Sequence, residues 1–286
     1  MAIIVNTNMS ALGIQQNLAS AGDAMQVAMK RMATGSKINS AADDSAGMAV
    51  AANLTTTING SKVAQTNVQL GSNLLSTSEG TLNTMKSNIQ RIRDLTEQAA
   101  NGTYDSKSKT AIKSEIDARV LEITRLGTST EFNGIKLFST STTGAQALSL
   151  QVGSGAASDN TIALDASLFA SVTASSLGVT AASITTAFAT TGTAANFTTL
   201  LANCDTALDA ITTKKTSIGA YQNRLASASE TLKVSSLNLS AARSTIQDAD
   251  IAVESANYVQ NQILQQASAS LLAQANQAPS IAINLI

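Results

Sequence analysis

The fold is decided by residues 204–253, CDTALDAITTKKTSIGAYQNRLASASETLKVSSLNLSAARSTIQDADIAV. Every seventh position of this stretch is apolar: Cys204, Ile211, Ile218, Leu225, Leu232, Leu239, Ile246 and Val253. Such a repeat stays on one side of a helix only when the helix supercoils left-handedly around a partner. The second stripe begins apolar at Leu201 and Leu208 and then becomes polar. The helix is therefore expected to pack on one or two partners and not to be buried on all sides.

This helix is predicted to be long, because no proline interrupts the chain between Phe197 and Gln277. We expect a soft break between Ser244 and Asp250. At about 1.5 Å per residue, an unbroken helix over the whole range would measure roughly 120 Å. A rod this thin is not stable alone, so other helices must cover its apolar stripe.

The N-terminal part of the chain carries a matching stripe. Spacings of three and four alternate along Ala11, Ile14, Leu18, Ala21, Met25, Ala28 and Met32, which is a heptad seam. Asn8 or Ser10 can cap the start of this helix, and Gly35 can end it. Pairing the first helix with the last is the simplest way to cover both terminal seams.

Two further helices are predicted, from about Ala46 to Ala100 and from about Ser106 to Leu126, followed by a turn at residues 131–134. Ser40 or Asp43 is expected to cap the second helix. The acidic pair Asp43 and Asp44 also fits a metal or acid–base site, although no third ligand and no histidine lie nearby.

The middle of the chain has a different composition, because Asp159 and Asp165 are the only charged residues between Leu137 and Cys204. Apolar residues alternate in 148–152 and again in 162–164, around a Gly-Ser-Gly turn, which predicts a β-hairpin. Residues 180–196 are expected to form an exposed loop or small lobe. The predicted fold is therefore mainly α, with long antiparallel coiled-coil helices from both termini and a small β-hairpin region between them.

Composition excludes several functions. A net charge of −1 with 13% charged residues gives no basic surface for nucleic acid, and no apolar run reaches the length of a membrane span. The absence of histidine excludes histidine-dependent catalysis and histidine metal sites, so we expect neither an enzyme nor a cofactor.

Cys204, the single cysteine, is interpreted as a small buried apolar residue; the alternative is a reactive or intermolecular thiol. The N-terminus lacks a basic signal-peptide region, so the protein is expected to be cytosolic or to leave by a route that uses no Sec-type signal.

Several motifs occur in a fixed order along the chain: NSAADDSAGMA at 39–49, IQRIRDL at 89–95, QAANG at 98–102, FNGIKL at 132–137, QVG at 151–153, GAYQNRL at 219–225, DAD at 248–250, ILQQA at 263–267 and LAQANQ at 272–277. In this order they resemble the bacterial flagellins over nearly the whole chain. The resemblance implies a structural subunit that self-assembles into the hollow helical filament used for swimming.

The resemblance also implies a division of the chain among filament layers. Residues 1–44 with 247–286 would form the inner-tube coiled coil, 45–179 with 197–246 the outer-tube domain, and 180–196 a short surface loop or lobe. Assembly contacts would come from the seam residues Ile14, Leu18, Met25, Met32, Ile263, Leu264 and Leu271 and from the apolar tail after Pro279. Residues before about Asp44 and after about Ile246 are expected to be mobile until neighbouring subunits cover them.

Partners are implied as well: the flagellar type III export apparatus with its chaperone, the filament cap and the hook-junction proteins, and secretion to the cell exterior. The family's epitope for the flagellin-sensing Toll-like receptor has matching positions, Gln90, Arg91, Leu95, Glu115 and Arg119. Arg91 and Leu95 are expected on the flank of their helix. The alternative is that Arg91 and Glu115 form a surface or filament-interface ion pair, which is compatible with receptor binding.

Two other functions remain open from the residues alone. A hook–filament junction protein would share the terminal helices, and an enzyme would need catalytic residues for which the chain offers almost no support. Alanine substitution of Arg91 or Leu95 is predicted to weaken receptor activation by the monomer.

Overall fold

The structure, a computed structural model, describes residues 7–138, 148–189 and 194–283, with side chains to residue 277. Its elements, in chain order, are the helices and strands α1 (Met9–Thr34), α2 (Ser45–Ala100), α3 (Ser106–Ser129), β1 (Glu131–Phe132), β2 (Ile135–Lys136), β3 (Ser149–Gln151), β4 (Thr161–Ala163), α4 (Ala181–Ala187), α5 (Ala194–Gln247) and α6 (Ile251–Ile283). Two short 3₁₀ helices, Ser158–Asn160 and Ala166–Phe169, precede and follow β4. The mainly α fold with small strand pairs agrees with the prediction.

The chain divides into two compact units. The terminal unit contains the described residues up to Ile58 and from Leu237 onward, and the central unit is Asn59–Ser236. These boundaries lie inside α2 and α5, whereas the resemblance implied boundaries between the filament layers at residues 44 and 247. Residues 45–58 and 237–246 thus belong to the same compact unit as the terminal helices.

In the terminal unit, α1 packs antiparallel on α6. The Asn8 side chain caps α1 by accepting from the Ala11 backbone N–H at 3.1 Å, and Gly35 ends it with a left-handed φ of 66°. The Asn8 amide also donates to the Ala275 carbonyl at 2.8 Å, at the opposite end of α6 from the Met32–Ser255 contact. The predicted pairing of the first and last helices is therefore confirmed.

The turn before α2 uses its two carboxylates for backbone hydrogen bonds. Asp44 caps α2 by accepting from the Gly47 N–H at 2.8 Å. Asp43 instead accepts from the N–H groups of Asn39 and Ser40, and these bonds lower the pKa of Asp43. The prediction that Ser40 or Asp43 caps α2 was wrong by one to four positions, because Asp43 closes the preceding turn.

The central unit contains the large apolar core. Its heptad line on α5 is buried at Cys204, Ile211, Ile218, Leu225 and Leu232. A second buried stripe lies at Leu200 and Ala207, one residue before the predicted Leu201 and Leu208, which are partly buried. Both stripes belong to one apolar core with residues of α2 and α3, and the Arg93–Asp205 ion pair and the Lys109–Phe197 contact also join α5 to these two helices. The expected packing on two partners is therefore confirmed.

Short strands and loops complete this core. Strand β3 pairs antiparallel with β4 in the register Leu150↔Ile162, which confirms the predicted hairpin. Gly127 of α3 contacts the Val172 carbonyl so closely that any Cβ would clash with it. Residues 180–189 are part of the segment expected to form an exposed loop or small lobe, and they contain α4, whose Ile184 is fully buried and not exposed. The Thr180–Ser183 capping box starts this helix.

Candidate assembly surface

One face of α6 has apolar residues that nothing in the described part of the chain covers. Val259 is 50% exposed, Ile263 59%, Leu264 47% and Leu271 51%. Ile263 and Leu264 line a shallow groove together with Ser255, Ala256, Val259 and Gln260. Exposed apolar side chains at helical spacing form a stripe that can be buried by another helix.

The side of α6 that faces α1 carries more polar residues instead. Most of its partly or fully buried positions follow heptad spacing: Glu254, Tyr258, Asn261, Gln265, Ser268, Leu272 and Ala275. Gly22 of α1 lies against Gln265, since a Cβ there would be 3.7 Å from the Gln265 amide nitrogen. The two helices therefore approach closely at Gly22, and most of the bulky apolar side chains of α6 stay outside the α1–α6 contact.

The predicted assembly residues separate into two groups. Ile14, Leu18, Met25 and Met32 of α1 are half-buried, and the Met32 sulfur accepts from the Ser255 hydroxyl at 3.3 Å. Ile263, Leu264 and Leu271 are exposed on α6. The first group lies on the predicted seam of α1, whereas the second lies beside the α6 seam and not within it. The side chains of the apolar tail after Pro279 lie outside the described residues.

A charged pair lies within the α1–α6 contact. The Arg31 Nη1 donates to Glu254 Oε1 at 3.2 Å, and the Glu254 side chain is only 11% exposed. The Arg31 Nε is buried without a hydrogen-bond partner. Because a buried charge is costly unless it is paired, this contact favours one register of α1 on α6. The apolar seam of α1 did not predict this pair, since Arg31 lies beside the seam and its partner Glu254 lies 223 residues away.

The Arg91 cluster, consisting of Asn88, Arg91, Glu115 and Arg119, joins α2 to α3 in the central unit. Arg91 Nε donates to Glu115 Oε1 at 3.1 Å, and Arg119 donates to the same oxygen from Nε at 3.2 Å and Nη2 at 3.1 Å. Arg119 Nη1 also donates to the Asn88 side-chain oxygen at 3.1 Å. Hydrogen bonds from Arg91 and then Arg119 lower the pKa of Glu115.

Three predicted receptor positions meet in this cluster, and Gln90 lies exposed beside it. Leu95 does not share that surface, because its side chain is 2% exposed within the core. The prediction that Leu95 lies on the flank was wrong. The spacing contained the signal: Leu95 follows the buried Ile92 by three residues and therefore lies on the same helix face.

Cys204 lies in the core of the central unit and is fully buried. Burial, with a smaller contribution from the neighbouring Asp205 charge, raises the pKa of its thiol to about 11. A thiol of this kind stays protonated at neutral pH and is unreactive, since the thiolate is the nucleophile. The interpretation as a small buried apolar residue therefore agrees with the structure.

Within the described parts of the chain, no three Asp, Glu, His or Cys side chains are grouped closely enough to hold a metal ion. The helices described here also include none with the length and apolarity needed to cross a membrane.

Residues 5–143 match the bacterial flagellin N-terminal helical region, and residues 201–286 match the bacterial flagellin C-terminal helical region. A flagellin of Xenorhabdus nematophila is 36% identical over 321 residues and is covered over its full length, as is this chain. The chain belongs to the bacterial flagellin family. A flagellin of Bacillus subtilis is 34% identical, with 99% of both chains covered. The 30.7 kDa core protein of the flagellar filament of Treponema maltophilum is 32% identical, with 96% of both covered.

Membership of the family makes this chain a structural subunit of the flagellar filament, and the family is not one of enzymes. A solved structure described as a flagellar hook-associated protein from Vibrio parahaemolyticus has a TM-score of 0.60 and covers 72% of this chain and 100% of its own. Its sequence identity is 18%, so this likeness concerns the fold alone.

Proposed function

We propose that neighbouring copies of this flagellin bury the exposed apolar stripe of α6 when the filament forms. The observation that carries the proposal is the exposure of Ile263, Leu264 and Leu271 on a helix whose other face is already occupied by α1. Full burial of such a side chain gains roughly 1.5–3 kcal/mol, and these side chains, which are about half exposed, would gain about half of that. Because every subunit of the polymer contributes this free energy, its sum drives assembly without a ligand or cofactor.

The proposed layers keep the boundaries that the resemblance to flagellins implies. Residues 1–44 and 247–286 line the inner tube, where repeated helix contacts cover the stripe. Residues 45–179 and 197–246 form the outer tube, and residues 180–196, including α4, lie at the filament surface. The large buried core of the central unit supports this arrangement, because such a core needs no neighbouring subunit for its stability.

Export and assembly need further partners. The chain is proposed to leave the cell through the flagellar type III apparatus, escorted by a chaperone. It would then join the filament beneath the cap and above the hook-junction proteins. In its final place it is extracellular.

Negative-stain electron microscopy of the concentrated chain tests self-assembly. We compare the full chain, a version trimmed to Ser45–Thr245, and a full-length variant with Ile263→Gln, Leu264→Gln and Leu271→Gln. Only the unmodified chain is expected to form filaments. The matched control carries Gln262→Ala and Gln274→Ala, which remove no apolar surface from α6, and it is expected to polymerise.

Filaments from the triple variant would contradict the role of the α6 stripe. If the unmodified chain forms none, addition of sheared filament seeds separates two cases. Growth on seeds supports the filament role, whereas failure to grow on seeds favours a hook–filament junction protein.

We also propose that the monomer is recognised by the flagellin-sensing Toll-like receptor through Gln90, Arg91, Glu115 and Arg119. Glu115 holds both guanidinium groups in place, while the Arg91 side chain stays 49% exposed and free to meet a partner. Leu95 contributes only by packing, since its side chain is buried.

A receptor-activation assay on monomers tests this surface. Arg91→Ala is expected to weaken activation about tenfold or more, as the loss of one or two charge-assisted hydrogen bonds would. Arg125→Ala is the matched control, because Arg125 pairs only with Glu122 on the same exposed helix surface. Leu95→Ala is expected to lower stability as well as activation. Full activity of Arg91→Ala would reject the assignment.

A further inference from the structure

A cavity of about 270 Å³ lies in the central unit where α3 begins, α4 ends and α5 begins. Its walls include Ser106, Lys109, Thr110, Lys113, Phe188 and Phe197, and we call it the Lys109 cavity. A liquid water molecule occupies about 30 Å³, so the space corresponds to roughly nine waters or a ligand of about nine non-hydrogen atoms. Nothing in the filament role uses this cavity.

The charge of the cavity comes from α3 alone. Lys113 Nζ is paired with Asp117 Oδ2 at 2.6 Å, so its charge is largely neutralised. Lys109 makes no ion pair with any carboxylate in the described residues, and the sequence from 166 to 204 contains no charged residue. The walls that α4 and α5 contribute are uncharged, so the Lys109 ammonium is the charged wall group that has no carboxylate partner within the described part of the chain.

The aromatic wall of the cavity lies beside the Lys109 ammonium group. Lys109 Nζ lies 5.7 Å from the centre of the Phe197 ring. Phe188 meets Phe197 edge to face, with centroids 5.2 Å apart and planes at 81°. Phe197 is buried, whereas Phe188 is half-buried and still presents part of its ring. A ligand that reaches Lys109 would also contact an apolar aromatic surface.

Hydroxyl groups complete the polar side. The Thr110 hydroxyl donates to the Ser106 carbonyl at 2.8 Å and is used within α3. The Ser106 hydroxyl forms no such bond among the described residues and remains able to donate. The carboxylate of Asp105 already caps the start of α3 by accepting from the Ser108 N–H at 3.0 Å. The Ser106 hydroxyl and the Lys109 ammonium remain as the donors that favour an anionic oxygen beside Lys109.

We propose that the Lys109 cavity binds a small organic monocarboxylate whose apolar ring lies against Phe188 and Phe197. The carboxylate accepts from the Lys109 ammonium and the Ser106 hydroxyl. A single negative charge matches the one uncompensated ammonium, whereas a dianion would exceed it. A ligand without a ring would leave the aromatic wall in contact with water. This proposal is independent of filament assembly and of receptor recognition.

The test is a titration of the ¹⁵N-labelled full-length monomer with benzoate, followed by amide chemical shifts. Benzoate has the required charge, ring and size. Saturable shifts are expected at Ser106, Lys109 and Phe188. Benzamide, which has the ring without the charge, and inorganic phosphate, which has charge without a ring, are both expected to bind at least about tenfold more weakly.

Two variants and one control make the test specific. Lys109→Gln keeps the length of the side chain and is expected to lower benzoate affinity about tenfold. Phe188→Leu keeps apolar volume and is expected to lower it by a smaller factor. Lys107→Gln, on an exposed residue of α3 outside the cavity, is expected to leave the affinity unchanged.

Three results would overturn the proposal: the absence of saturable shifts with the unmodified chain, an unchanged affinity in Lys109→Gln, or equal binding of phosphate and benzoate. The thermal unfolding of each variant is measured beside the titration. A loss of binding in a variant that unfolds like the unmodified chain supports the site.

Discussion

The two units of this flagellin differ in the size of the side chains that they bury. The largest fully buried side chains, such as Phe138, Leu82 and Ile116, belong to the central unit. The terminal unit buries mainly alanines, Ala11, Ala21, Ala28 and Ala51, and its larger buried apolar side chains are Ile38 and Ile58. The terminal unit also contains most of the large apolar residues that are exposed: Met9, Leu12, Val27, Met29, Met48, Val50, Leu237, Ile251, Val253, Val259, Ile263, Leu264 and Leu271.

This difference teaches how one chain can be both a stable monomer and a polymer subunit. Burial of large apolar side chains supplies most of the free energy of folding. The central unit obtains that free energy within the chain. The terminal unit leaves most of its larger apolar side chains exposed, where we propose that other copies bury them.

The largest expected difference between the units is in monomer stability, when one isoleucine in each unit is replaced by alanine. Ile218→Ala removes a fully buried side chain of α5 and is expected to lower the free energy of unfolding by about 2–5 kcal/mol. Ile263→Ala changes a side chain that is 59% exposed and is expected to alter monomer stability by about 0.5 kcal/mol or less. Urea denaturation of each monomer, followed by circular dichroism, measures both values.

For filament assembly we expect the opposite order, with the contribution of the exposed Ile263 larger than its contribution to monomer stability. Ile263→Ala is expected to raise the protein concentration needed for filament growth, as measured by sedimentation. A large loss of monomer stability in Ile263→Ala would show that the terminal unit depends on an internal core, which contradicts the comparison.

A smaller effect is expected from the ion pair in the terminal unit. Glu254→Gln leaves Arg31 partly buried without its carboxylate and is expected to cost roughly 1–3 kcal/mol. Thermal unfolding and proteolysis of α1 in the monomer report this loss. The control is Glu230→Gln, because Glu230 is 70% exposed and its oxygen lies 4.0 Å from Lys233. Equal behaviour of the two variants would show that Arg31–Glu254 does not hold α1 on α6.

The smallest expected effect on stability comes from the Arg91 cluster of the central unit, because its charged side chains are more exposed than those of Arg31 and Glu254. The pKa of Glu115 lies below its ordinary value of 4.5 in the folded chain. Its carboxylate therefore stabilises the folded state above about pH 4.5, and this contribution is lost as the pH falls through the lower folded pKa. Solvent screening keeps the contribution small, since Glu115 is 39% exposed.

Urea midpoints at neutral pH and near pH 3 measure this contribution. Glu115→Gln is expected to reduce the difference between the two midpoints, and Glu131→Gln, on the exposed strand β1, serves as the control. An unchanged pH dependence in Glu115→Gln would mean that the cluster adds nothing to the stability of the central unit.

The heptad line shows how far the sequence could predict the fold. Its apolar residues are buried as far as Leu232 and half-buried at Leu239 and Ile246, and Val253 is 55% exposed. The exposure of Val253 follows from the break between α5, which ends at Gln247, and α6, which begins at Ile251, because the helical phase starts again there. The sequence predicted this break. The seven-residue spacing before a break, however, does not determine which side of the next helix faces inward.

The errors at particular sites have different physical reasons. The burial of Leu95 was predictable from its spacing to Ile92. Helix α4 was missed because its segment is uncharged and dominated by Ala and Thr, whose helix propensities differ. The exposure of Ile263 and Leu271 could not be predicted, because periodicity shows that a stripe needs a partner but not whether that partner is α1 or another copy.

Hydrogen exchange of the backbone amides, compared between the full-length monomer and the filament, tests the contrast between the units most directly. In the monomer, amides of α1 and α6 are expected to exchange much faster than those of α3 and of α5 up to Ser236, because few buried apolar contacts protect them. In the filament, α1 and α6 are expected to become as protected as the core. Equal protection of both units in the monomer, unchanged by assembly, would contradict the account.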